Sequence, residues 1–315
     1  MKSKIQPLPS AIAEIVKNGS SVALGLQMEQ MIPFAAGHEI MRQKKRDLRL
    51  IGPISDILFD QLIGAGCVKD VVAAWVGNVM MGTAYNFRRA VEQENPGTPG
   101  EKLKIFNMSN FTLALALQAG AMGVPFLPTR TARGSDIPKN NHFFYEIMSP
   151  FANESGEREM LYAIRALVPD VAIVHVQRAD EEGNTHCWGN FGVMLEGVRA
   201  ARKVIVCAEE IVSRREVIAS DPNRTVIPGF LVSAVCEVPL GAHPSPVQGY
   251  YKRDDSFFRQ YHEESKAAAA FERWAERWVY GVKDRAAYAK LLGEKRVESL
   301  GVKQHAYAAQ TDFGY

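Results

Sequence analysis

The strongest constraint on this chain is a repeated alternation. Short runs of wholly apolar, often β-branched residues are each followed by a turn and then by an amphipathic stretch. Val171 to Val176 (VAIVHV) is the clearest run, and Val204 to Ala208 and Phe230 to Val238 repeat it. Ser21 to Leu24, Leu48 to Ile51, Val68 to Val76 and Leu103 to Met108 read as further strands. A strand apolar on both faces belongs inside a parallel sheet covered by helices.

The intervening stretches carry helix signals. Ser10 is placed to cap a helix reaching about Asn18, with Gly19 as its left-handed stop. Pro33 sits where the first turn of a second helix is expected. Helices are also predicted near Asp56 to Ile63 and Thr83 to Glu94, and from a cap at Ser109 or Asn110 to Met122, closed by Gly123. Val124 to Leu127 reads as a short strand closed by Pro128, and a last long helix covers Asp255 to Val279. This order predicts an α/β protein with a doubly wound, mostly parallel open sheet. The breaker NPGTPG at 95–100 reads as a surface loop, because the alternation resumes at once. Residues 1–315 are therefore expected to form a single domain with a C-terminal helical segment at 255–292.

Charge narrows the function classes. With 37 basic and 35 acidic residues the net charge is +2, which offers no electrostatic case for nucleic acid or an anionic membrane. The basic cluster from Arg42 to Arg46 is short and reads as a solvated helix end. The four cysteines, at 67, 187, 207 and 236, have no C-x-x-C spacing and are expected to be reduced thiols. The N-terminus MKSKIQPLPS lacks a signal-like apolar stretch, and no window approaches about 18 apolar residues. A cytoplasmic location is expected, with no bound cofactor and no metal.

Familiar catalytic motifs are missing. There is no G-x-x-x-x-G-K-[ST], no G-x-S-x-G, no H-E-x-x-H and no G-x-G-x-x-G. The informative stretch is NGSSVALGLQMEQMIP, residues 18–33. A strand ends there at Gly25 and a helix begins after Pro33, so the loop lies at the carboxyl end of a parallel strand. Ligands bind at such places in open α/β sheets.

This stretch resembles the signature of family I CoA-transferases: Asn18, Gly19, the run Val22 to Leu24, Gly25 and Pro33 match in spacing. Leu26, Gln27 and Met31 depart from it. Met31 and Ile32 stand where some dicarboxylate-specific relatives carry basic residues. The resemblance extends over more than 200 residues and is strongest to the A subunit of the glutaconate CoA-transferase type. Residues 65–90, the stretch VPFLPTRTARGSD at 124–136, residues 170–189, residues 207–229 and PLGAHPS at 239–245 all follow in order.

The resemblance implies a CoA-transferase (NagB/RpiA-like) fold and an enzyme built from two kinds of subunit. In such enzymes a glutamate carboxylate attacks the acyl-CoA to give a mixed anhydride. CoA thiolate then attacks the enzyme carbonyl, leaving a glutamyl-CoA thioester. In this branch the nucleophile belongs to the B subunit, so no catalytic nucleophile is expected here. The implied partners are a B subunit in an A2B2 heterotetramer, an acyl-CoA and a small carboxylate, with the coenzyme A thioester as substrate.

This chain is then expected to shape and polarise the acyl side of the pocket. The candidate substrate-binding residues are Gly25, Gln27, Glu29, Asn78, Gly134 and Ser135. Gly25 lets backbone approach the ligand, and the amides of Gln27 and Asn78 suit an oxyanion. Glu29 reads as a substrate contact, a proton carrier or a solvated loop carboxylate. Asn78 reads equally as a turn residue, and Gly134 with Ser135 as a carboxylate contact or a plain turn. Glu209 with Glu210 reads as a buried cap or interface pair, His175 as a core histidine, and His243 as a residue fixing its turn. His186 and Cys187 are strand neighbours pointing to opposite faces. Phe271, Trp274 and Trp278 read as packing.

Two other readings share the sheet. One is an acyl-CoA lyase (decarboxylase) or hydrolase. Ring-cleaving hydrolase relatives carry a glutamate where Asn110 stands here. The other is a non-enzymatic ligand-binding module, which calls for an anion site within this chain alone.

Overall fold

The computed structural model describes residues 3–219 and 222–302. Of the span 1–315, residues 1, 2, 220, 221 and 303–315 lie outside the described residues. The chain opens with α1 (Leu8–Ile15), β1 (Ser21–Ala23), α2 (Phe34–Arg42), β2 (Leu48–Ile54), α3 (Asp56–Gly64) and β3 (Val68–Trp75). It continues with α4 (Tyr85–Glu92), β4 (Lys104–Asn107), α5 (Asn110–Met122), β5 (Phe126–Thr129), β6 (Phe144–Ala152) and β7 (Arg158–Arg165). Then follow β8 (Val171–Ala179), β9 (Thr185–His186), α6 (Met194–Ala200), β10 (Lys203–Ile211), α7 (Arg214–Ala219), β11 (Thr225–Ile227) and β12 (Ala234–Glu237). Helices α8 (Asp255–Ser265), α9 (Ala268–Ala275), α10 (Arg285–Leu292) and α11 (Glu294–Leu300) close the chain.

Seven strands pair in the order β12-β10-β8-β1-β2-β3-β4, and every adjacent pair is parallel. β9 is antiparallel to the far end of β8, and β11 is antiparallel to β9. β5, β7 and β6 form a separate antiparallel sheet. The architecture is therefore α/β with mixed sheets. The apolar run beginning at Val171 becomes β8, with every residue but Arg178 buried.

The strand order reverses at one place. From β1 the chain adds β2, β3 and β4 outward on one side, then returns to lay β8 on the other side of β1. β1 is also short. It pairs with β2 only through Ala23 and with β8 only through Ala172, while β2 runs on to Ile54 and β8 to Ala179. β1 thus stops short of both neighbours, and residues 24–33 follow it as the loop that leads to α2.

Local signals set most boundaries. Ser109 accepts from Thr112 N–H at the start of α5 in a capping box, and Gly123 ends the helix at φ 69°. Four expectations shift. The strand read over Phe230 to Val238 begins only at Ala234, after a 3-10 turn over Gly229–Leu231. α1 starts at Leu8 after Pro7, so Ser10 lies inside it, and it ends at Ile15, leaving Gly19 in the following turn. Pro33 is the residue before α2 rather than its first. The helix expected over 255–279 breaks between Ser265 and Ala268, and its end winds as a π-helix over Glu276–Tyr280. β6 and β7 have no counterpart among the strands read from sequence. Only Phe144 and Ser149 of β6 are buried, so the apolar residues along it do not sort into one inward row.

Candidate active site

Gly25 turns the chain out of β1 at φ 62°. A side chain there would stand 2.8 Å from the Ser55 Cα, and the Ser55 hydroxyl instead donates to the Leu24 carbonyl at 3.0 Å. Met28 and Met31 hold φ of 65° and 49°, an uncommon state for residues with a Cβ. Neighbouring segments impose it. Val193 N–H donates to Leu26 O at 2.8 Å, Met31 N–H to Pro246 O at 3.0 Å, and the Ser245 hydroxyl to Glu29 O at 2.8 Å.

Beside this loop lies a cleft of about 490 Å³ lined by Met28, Glu29, Gln30, Ile54, Asn190, Pro246 and Arg253. Met28, Ile54 and Pro246 give it an apolar wall. Gln30 donates to Asn190 O at 3.4 Å and accepts from Gln248. Arg253 is the cation of the cleft, with Glu29 at 3.3 Å, Asp56 at 3.3 Å and Asp255 at 3.4 Å. Its guanidinium stacks over the Phe258 ring at 4.3 Å. Asp56 is fully buried at the start of α3, with φ 46°, and accepts from Val79 N–H at 3.1 Å. Burial pushes its carboxyl up to about 7, against the pull of that hydrogen bond and of Arg253.

The sequence-read candidates divide. Gly25 and Glu29 belong to this loop and cleft. Gln27 is in the loop but turned inward: it is 2% exposed, and its amide donates to Met31 Sδ at 3.6 Å and Cys187 Sγ at 3.4 Å. Asn78 is buried and is not among the residues lining the cleft. Its Oδ1 accepts from Met80 and Met81 N–H in the turn beside Gly77, and its Nδ2 donates to Phe258 O of α8 at 3.1 Å. Gly134 lines a different cleft with Arg133, Glu146 and Tyr162. Ser135 is exposed, and its hydroxyl donates to Ala132 O at 2.8 Å. Neither is among the residues lining the cleft beside the loop.

The remaining candidates are structural. Glu209 is buried and accepts from Tyr251 at 2.6 Å and Leu240 N–H at 2.8 Å, with His175 Nε2 at 2.7 Å. It has no room to act as a nucleophile. His186 reaches Val217 O at 3.2 Å while Cys187 faces Gln27, so they point apart as strand neighbours must. His243 lies between Tyr288 at 2.9 Å and Asp254 at 3.0 Å. Asp254 is already held by the Arg296 fork at 2.7 and 2.9 Å, so His243 stays neutral, burial pushing it down to about 4. Phe271, Trp274 and Trp278 are core.

Arg253 and Asp56 were missed from sequence. Arg253 lies beyond the last family-like segment, in an ordinary KRDD run, and only its place before the cap residue Asp254 of α8 marks it. Asp56 reads as a helix start, and nothing in sequence shows that it is buried.

Known proteins bear on this geometry. The sequence profile described as "Coenzyme A transferase" matches residues 6–238. The chain is 37% identical to the A subunit of 3-oxoadipate CoA-transferase from Pseudomonas knackmussii, over 93% of this chain and 99% of that one. It is 32% identical to the A subunit of glutaconate CoA-transferase from Acidaminococcus fermentans, over 95% of each chain. The crystal structure of that enzyme superposes with a TM-score of 0.86 over 95% of this chain and 96% of the other. A variant of the decarboxylase AibA/AibB superposes with a TM-score of 0.72 at 29% identity, over 87% of this chain and 99% of that one. Profile, sequence and superposition agree: the chain belongs to the coenzyme A transferase family, as a family I A subunit closely related to that of glutaconate CoA-transferase.

Proposed function

We propose that this chain is the A subunit of a heteromeric, cytoplasmic CoA-transferase, and that it forms the acyl-side wall of an active site completed by a B subunit. The reaction moves CoA from an acyl-CoA to a small carboxylic or dicarboxylic acid through a glutamyl-CoA thioester on the partner. The assembly is read as two A and two B chains. The chain is read as one domain on a doubly wound, NagB/RpiA-like sheet, in keeping with the reversal of strand order at β1 and β8.

One observation carries the division of labour. The carboxylates at the cleft are placed around its cation: Glu29 lies 3.3 Å from Arg253 on the loop, and Asp56 is buried at 3.3 Å behind it. What the cleft offers is a shaped apolar wall and a cation, which bind and orient an acyl group. Binding energy gathered there can be used at the reacting carbonyl. The likeness to the decarboxylase AibA/AibB supports a second reading, an acyl-CoA lyase on the same scaffold.

The test is co-expression with the neighbouring reading frame, followed by incubation of the purified complex with acyl-CoA and hydroxylamine or borohydride. Trapping of a glutamyl thioester on the partner is the expected result. CO2 release without an acceptor would favour the lyase. Activity of the isolated chain with no copurifying partner would overturn the half-site reading.

A further inference from the structure

Arg253 differs from the forked arginines of this protein in how it meets its carboxylates. Arg49 forks Asp70 at 2.5 and 2.9 Å, and Arg296 forks Asp254 at 2.7 and 2.9 Å. Such short paired contacts are the ordinary geometry of a satisfied guanidinium–carboxylate pair. Arg253 instead makes three single contacts at 3.3–3.4 Å to three different carboxylates, none of them forked. Its Nε–H is buried without a hydrogen-bond acceptor, the Asp255 carboxylate standing off at 3.4 Å. The two terminal nitrogens make only single, long contacts, Nη1 to Glu29 and Nη2 to Asp56, and the guanidinium borders the cleft beside the loop at the end of β1.

The side chain is nonetheless well placed. The next residue, Asp254, is fixed by His243 and Arg296, and the Phe258 ring supports the guanidinium from α8. The group is held in position while its bonding remains incomplete, which is the state of a preorganised binding site. Of its three neighbours, Glu29 alone is both on the loop and a wall of the cleft, and its side chain is 49% exposed. It can swing out to water at little cost. Asp56 and Asp255 stay behind: burial raises the Asp56 carboxyl, which weakens its hold on the arginine, and Asp255 is itself exposed and stands off at 3.4 Å. Met31 and Ile32 leave the loop without a cation before Pro33, and Arg253 supplies one from a different part of the chain.

We propose that Arg253 anchors the remote carboxylate of a dicarboxylic acyl group, and that Glu29 is an internal stand-in occupying this subsite until the substrate displaces it. The inference rests on the transferase reading and names the substrate class for that site. The acyl chain lies along Met28, Ile54 and Pro246, with the reacting end toward the partner's nucleophile.

The test uses the co-expressed A–B complex, with acetyl-CoA as donor and acceptors matched in chain length: succinate against butyrate, glutarate against valerate, adipate against hexanoate. In Arg253→Gln the ratio of dicarboxylate to monocarboxylate kcat/KM falls roughly 10- to 100-fold, the loss expected for one charge-assisted pair. Arg253→Lys keeps a charge beside Asp56 but loses the fork, and the ratio falls by less. Glu29→Gln lowers the dicarboxylate KM several-fold by freeing the subsite. An equal fall for both acid classes, or an unchanged ratio, overturns the anchor; a dicarboxylate KM that rises or stays put in Glu29→Gln overturns the stand-in. Glutarate-induced stabilisation of the complex against heat gives a second readout without turnover. If no acid accepts CoA yet glutarate stabilises the wild type and not Arg253→Gln, the subsite stands and the transferase reading fails. If CoA transfer proceeds with the ratio unmoved, the subsite fails alone.

Discussion

Asp56 shows how a single residue near this cleft couples ionisation to stability. The folded chain holds its proton up to about 7, whereas the unfolded chain releases it near 3.8. Its contribution is therefore fully present below about pH 4 and is lost as pH rises toward 7. Asp60 shifts in the same direction for the same reason, burial, so the two act together. Asp56→Asn keeps an acceptor for Val79 N–H and removes the titration. It is expected to stabilise the chain at pH 8 by on the order of 3 kcal/mol relative to its effect at pH 4. Urea unfolding of both proteins at the two pH values measures this, and parallel stability curves would contradict it. None of this was legible in sequence, because the burial that moves the carboxyl comes from segments folded over the start of α3. Gly25 was legible, since a strand, a glycine and a helix in that order state their own geometry.

At the scale of elements, α11 acts as a clamp. Its Arg296 forks Asp254, the cap of α8, while Lys252 N–H donates to Leu300 O at 2.9 Å. The segment carrying Arg253 is thus pinned from both sides. Arg296→Ala leaves the buried Asp254 with His243 as its nearby cation, and the expected cost is about 2–4 kcal/mol by denaturant unfolding. The His243 imidazole should then titrate upward from about 4 toward its ordinary 6.5, which NMR can follow. A mere loss of packing would leave that titration unmoved. Elements whose signals are local were readable: the Ser109 cap and the Gly123 stop of α5 are where sequence puts them. β6 and β7 were not, because a sheet with much of its surface in solvent leaves no apolar run to read.

At the scale of the molecule, the parallel sheet was readable because its central strands, β8 and β10 above all, are buried on both faces. The cleft was not, because its ion pair joins residues 224 positions apart. The four thiols report on the whole. All are free and buried, and burial pushes Cys67, Cys187 and Cys236 up to about 12 and Cys207 upward as well. The native chain should show no fast reaction with Ellman's reagent at pH 8, and four equivalents after denaturation. A fast-reacting native thiol would mean that the sheet opens locally. The brevity of β1 has a last consequence. Each residue added to a strand advances it by about 3.3 Å and turns its side chains to the other face. The loop beyond β1 therefore keeps its orientation only when the strand grows or shrinks by two residues. Cleft depth on this scaffold comes in discrete steps of about 6.6 Å, too coarse to sort acids one methylene at a time. Finer selection must come from the side chains along the walls.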